Sequence, residues 1–163
     1  MLRLPLALLL ATLIGCDSGV GSAQRLFDDQ ALLARPDGYT QIEIVDGVVR
    51  VVSEDADDWR LGPAFGVNTQ IIQRPVPNPV RPREQFTLTL FTDGLAGGMA
   101  LYRLNARGDL LLIEDRPEAE LQGIYSFTLS GDRVDDGVDG LYRIAVLDGR
   151  SRVVTYGDVL VVE

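Results

Sequence analysis

The residues best placed to do chemistry lie close together: Asp132, Asp135, Asp136 and Asp139, interleaved with Gly137 and Gly140. Calcium takes about six to eight oxygen ligands, and a loop dense in carboxylates can supply them. An EF-hand loop needs acidic or amide side chains at positions 1, 3 and 5, with glycine at 6. Counted from Asp132 the third position is Val134, so that spacing fails. The loop therefore reads first as a solvated hairpin whose aspartates cap turns and whose glycines take positive φ, with calcium binding as the alternative. A second acidic run, Glu54, Asp55, Asp57 and Asp58, reads as a solvated connection. Trp59, the only tryptophan, and Tyr39 are the candidate aromatic contacts for a ligand such as a carbohydrate. Trp59 followed by Phe65 equally suits the plugging of a core edge.

Catalytic chemistry has little to draw on. The chain has no histidine, and its 15 basic residues are all arginine. That removes the commonest general base and the usual Ser-His, Cys-His and Ser-Lys nucleophile pairs. A glycosidase needs two carboxylates facing each other across a cleft, and among 24 acids some pair is always to be found. The expectation is a protein without an active site and without an obligatory cofactor.

The one cysteine has a more definite context. Arg3 precedes an apolar run that ends in Leu13-Ile14-Gly15-Cys16. This is the layout of a secretory signal peptide, and it is too short for a membrane-spanning helix. The last four residues resemble the lipobox of bacterial lipoproteins. The resemblance implies cleavage after residue 15 and acylation of Cys16 on its sulfur and its nitrogen. One acyl chain gives only marginal, reversible attachment, whereas two or three hold a protein at a bilayer without crossing it. The expected location is a bacterial cell envelope, with the inner and outer membrane both open.

Loss of residues 1–15 takes Arg3 away and moves the net charge from −9 to −10. A surface this acidic repels phosphate backbones, which argues against nucleic-acid binding. It also disfavours adsorption on anionic lipid and leaves the acyl chains as the means of attachment. The mature length suits one ordinary domain plus a short extra element.

The elements that position these residues are mostly strands. Residues 16–24 are small and polar and read as an acylated, flexible spacer. Residues 25–36 hold short apolar pairs that fit either helical turns or an extended strip. Gln41–Val45 and Val48–Val52 flank Asp46-Gly47, a type I′ hairpin signal. Residues 53–68 read as an irregular connection, so that 25–68 form a hairpin region ahead of the main domain. From residue 69 onward short alternating strands are separated by turns, with no long helical period. That spacing indicates an all-β antiparallel sandwich over 69–163, of the Ig or fibronectin III kind.

Pro77-Asn78-Pro79-Val80-Arg81-Pro82 precedes a paired-strand stretch, then Gly123-Ile124-Tyr125, Asp132, Asp136-Gly137 and Gly140-Leu141-Tyr142. This series resembles the Ig-like domain first described in flagellar hook-capping proteins. Val80 stands where that domain usually has phenylalanine, and Phe127 or Leu129 where a tryptophan is frequent. The resemblance implies a domain that sorts, presents or connects other modules and has no active site. Similar sandwiches serve as C-terminal sorting signals, but an anchor at the amino end already fixes destination. Taken together the sequence points to a membrane-anchored, non-catalytic scaffold or interaction module with an envelope protein as its partner. The alternative is a calcium- or carbohydrate-binding envelope module.

Overall fold

The computed structural model describes residues 19–163 apart from 94, 96, 106 and 120–122. The signal peptide and Cys16 lie outside the described residues. An α-helix, α1 (Gly19–Leu33), is followed by a two-stranded hairpin, β1 (Gln41–Val45) and β2 (Val48–Ser53). Then come β3 (Arg60–Leu61), β4 (Thr69–Val76), β5 (Gln85–Thr92), β6 (Met99–Leu104), β7 (Leu110–Arg116), β8 (Ile124–Ser130), β9 (Gly140–Asp148) and β10 (Val153–Val161).

Alternation builds the sandwich. β5 turns Phe86, Leu88 and Leu90 to one face, and β8 sets Leu129, Phe127 and Tyr125 directly opposite them. Together with β4 they form a three-stranded antiparallel sheet of order β4-β5-β8. The second sheet has the order β3-β10-β9-β6-β7. From β4 onward the first, second and fifth strands share one sheet, and the seventh, sixth, third and fourth share the other. This is a Greek-key sandwich of the expected Ig or fibronectin III kind, with the fourth strand paired to the third. The core between the sheets gathers Phe86, Leu88, Leu90 and Phe127 against Leu101, Ile144, Val146 and Val159. Pro75 lies in β4, an edge strand, where a missing N–H is tolerated.

A third layer covers the larger sheet. β9 and β10 are buried on both faces because α1 lies on their outer side, with Phe27 and Ala31 packed against Ala145, Leu147, Val153 and Tyr156. Gln24 fixes the helix to the sheet: its Nε2 donates to Val153 O at 2.9 Å, and its Oε1 accepts from Ala64 N at 2.9 Å. Two expectations are corrected here and one open reading is resolved. Residues 19–24 are helical and carry the buried Gln24, so they are no flexible spacer. The segment from 25 is helical as far as Leu33. The sandwich begins before residue 69, since β3 pairs with β10 and both Trp59 and Phe65 lie in its core.

Gly157, in the middle of a central strand, has a packing reason. A Cβ there would stand 2.3 Å from the Trp59 ring, which is held over it by a backbone at φ 53°. Phe127 is fully buried between the sheets, so Phe127→Ala should cost about 3–5 kcal/mol. Urea unfolding checks this: the midpoint should fall with little change in slope, and an unshifted midpoint would contradict the central place given to the ring.

Candidate functional site

Between α1, the hairpin and β9–β10 the chain buries a polar cluster. Arg143 and Asp158 face each other across the β9–β10 pair, both almost inaccessible. The guanidinium donates through Nε and Nη2 to the two Asp158 oxygens, each at 2.8 Å, in the bidentate geometry that makes such pairs strong. Its third nitrogen, Nη1, donates to Ala34 O at 2.9 Å and Gln30 O at 3.4 Å, so a strand arginine satisfies carbonyls at the end of α1. The plane stacks on Tyr156 at 5.1 Å.

Asp58 and Asn78 extend the cluster to the hairpin. Asp58 accepts from Thr40 N at 2.7 Å and from Asp158 N at 2.9 Å. Asn78 donates from Nδ2 to Thr40 O and Asp158 O, each at 3.0 Å, and accepts from Leu160 N at 3.0 Å. Its backbone exchanges two hydrogen bonds with Ile42 at 2.7 and 2.8 Å. The base of the hairpin is therefore pinned by Thr40 and Ile42.

The one guanidinium is bonded to Asp158 and not to Asp58, and that sets their protonation. Burial lifts Asp158 above the usual carboxylate range while its hydrogen bonds to Arg143 hold it down. Burial opposes the charge on Arg143, and Asp158 more than restores it. Asp58 has no cationic partner in the cluster. Burial pushes it from 3.8 to about 7, against the Thr40 N–H and with the help of the Asp158 charge.

The hairpin itself is exposed. Asp46 at φ 54° and Gly47 at φ 75° form its turn, as the Asp-Gly pair predicts. Register pairs Ile44 with Val49 and Ile42 with Val51 on one face, and Glu43 with Arg50 on the other. β2 is exposed along its whole length, and Ile44, Val48, Val49, Val51 and Val52 are each 53–55 % accessible. A bare edge strand is a template for pairing with another chain. Two other edges carry protection: Arg133 donates to Ile113 O of β7 at 2.6 Å, and β4 contains its proline. β2 carries only Arg50.

The residues singled out in the sequence meet different fates. Trp59 is 3 % exposed in the sandwich core, and its Nε1 has no hydrogen-bond partner among the described residues, so it is no ligand platform. Tyr39 is half-buried in the strap leading to Thr40. The four loop aspartates do not converge. Asp132 accepts from Ser130 Oγ, Asp135 from Gly137 N at 3.0 Å and Asp139 from Glu163 N at 3.1 Å, while Asp136 pairs with Arg103. Among the described residues no group of three or more acidic side chains is arranged to hold a metal. Each carboxylate instead closes its own turn or ion pair, so Asp132, Asp135, Asp136 and Asp139 are not gathered about one point. An open groove of about 740 Å³ lies between the end of α1, the β6–β7 turn and this loop, lined by Leu33, Pro36, Leu104, Arg107 and Leu141. Asp136, which also lines it, is committed to Arg103.

The polar cluster is not legible in the sequence because its members are scattered from Thr40 to Asp158 with no local spacing rule, and Asp58 is there only part of an acidic run. Its raised value has a direct consequence. The protonated form favours the folded state, so its contribution to stability is fully present below 3.8 and is lost as pH rises through about 7. The full interval corresponds to about 4 kcal/mol. Thermal melts should therefore show a more stable protein at pH 5.5 than at pH 8.5. Asp58→Asn should flatten that slope and lower stability by about 1–3 kcal/mol at low pH, where the aspartic acid is neutral, because an amide N–H₂ would face a backbone donor. A melting temperature that rises with pH in both proteins would refute the assignment.

No family model matches the chain, and no curated protein matches it.

Proposed function

We propose that this chain is an exported lipoprotein, held at a bacterial envelope membrane by acyl chains on Cys16. Its sandwich is a non-catalytic interaction module, and the β1–β2 hairpin is the surface that takes the partner. The partner is an envelope protein that contributes an extended segment to the free edge of β2. Backbone hydrogen bonds supply affinity in this mode, and pockets for alternate side chains supply selectivity. The observation that carries the reading is the exposure of five aliphatic side chains on a two-stranded hairpin in an otherwise acidic protein. Ile44, Val49 and Val51 share one face of the hairpin, and soluble proteins seldom leave a contiguous apolar patch uncovered unless something binds there.

The absence of histidine and lysine supports a module without catalysis. The lipobox-like Leu13-Ile14-Gly15-Cys16 supports the anchor. Cys16→Ser should move the protein from the membrane to the soluble fraction, or leave it unprocessed with its apolar leader attached. A processed serine variant that still fractionates with membranes would defeat the anchor.

The partner surface has a separate test. The acylated protein is crosslinked in its own envelope and recovered, alongside a Val49→Lys/Val51→Lys double variant. A stoichiometric protein should be captured by the wild type and lost at least tenfold in the variant, while both melt alike, since these side chains are exposed. Equal capture by the two would remove the hairpin from consideration.

A further inference from the structure

We infer that the end of the sandwich formed by the 62–68 loop, the 149–152 turn and the first turns of α1 rests on the lipid headgroups. This rests on the acylation of Cys16 proposed above. The argument is one of reach. Only residues 17 and 18 separate Cys16 from Gly19, where α1 begins. At most about 3.6 Å per residue, they span roughly 11 Å from one end to the other. Gly19 to Gln24 adds about 8 Å of helix. Gln24 is bonded to Val153 O and Ala64 N, and Asp28 accepts from Val153 N at 3.0 Å, so the helix is fixed to the sheet there. The acylated residue therefore lies within about 20 Å of Gln24, whose side chain bonds Ala64 and Val153, whichever way the short link turns.

The surface at this end suits a bilayer. The 62–68 loop carries no ionisable side chain, and Val67 at its tip is 95 % exposed. Val20 in the first turn of α1 is 49 % exposed. The neighbouring 149–152 turn contributes Arg150 and Arg152, with Arg152 paired to Asp148 at 2.6 Å.

Asp28, Asp93 and Asp148 also sit at this end, but the densest acidic features lie at the other. β9 and β10 run from the Leu147–Val153 pair to the Gly140–Val161 pair, about 30 Å for nine residues. Beyond that far end lie the Asp132–Asp139 loop and Glu163, joined by the Asp139–Glu163 hydrogen bond. The hairpin is rooted there too, through Ile42, Asn78 and Leu160. An acidic surface and an anionic membrane are thereby kept apart.

The test uses the acylated protein, in which the thiol of Cys16 is consumed and an introduced cysteine is the only reactive one. Val67→Cys and Val49→Cys are each labelled with a fluorophore. They are reconstituted in vesicles of phosphatidylethanolamine and phosphatidylglycerol bearing nitroxide on the headgroup. Quenching should be several-fold stronger at position 67 than at position 49. Equal quenching, or stronger quenching at 49, overturns the orientation. Mass spectrometry of the mature amino terminus is read on the same sample. An unmodified Cys16 would defeat the anchor, and the orientation with it. An acylated protein that is not quenched at 67 would defeat the orientation alone.

Discussion

The contact on which the architecture turns is the buried pair of Arg143 and Asp158. Removing two charges from water costs several kcal/mol each, and only good geometry with further hydrogen bonds offsets it. Here the guanidinium spends its donors on both carboxylate oxygens and on the carbonyls that end α1. The peptide group of Asp158 in turn serves Asp58 and Asn78. One ion pair thus joins the helix, the strap of residues 37–58, the proline-rich segment and the two central strands. Taking away either charge would leave the other buried and unpartnered, a loss of roughly 3–5 kcal/mol. The pair is better understood as fixing where the outer elements sit than as a net source of stability.

Asp58 is a different kind of participant. It accepts two backbone N–H groups yet has no cation of its own, so its protonation state depends on the desolvation imposed by its neighbours. The hairpin root therefore rests on a group that titrates near neutrality, while the hairpin above it has an unpaired edge and an aliphatic face. The root of the hairpin is thus hydrogen-bonded into the sandwich while β2 above it stays exposed.

How much of this could be read from residue order depends on the range of the interactions. Period-two alternation in Phe86-Leu88-Leu90 and Tyr125-Phe127-Leu129 depends on neighbours in sequence, and both strands stand where alternation puts them. The Asp46-Gly47 turn is equally local. The helix was obscure because its buried stripe is only Gln24, Phe27 and Ala31, while Leu26 and Leu33 are 71 % and 78 % exposed. Apolar residues on the wet side blur the helical period on which recognition depends. Glycines at 19 and 21 are also poor helix formers. β3, two residues long, leaves no pattern at all. Trp59 is ambiguous by type, and only its burial separates readings that spacing could not.

The docking of α1 has a consequence in time. Gln24 meets Val153 across 129 positions, and Ala34 meets Arg143 across 109. A polypeptide made amino end first has its helix long before it has the strands that cover Phe27 and Ala31. An isolated helix of 15 residues is marginal in water, and contacts this distant close slowly. The helix therefore gains its seat only when β9 and β10 have emerged and paired. Along this chain the order of synthesis and the order of consolidation run in opposite directions.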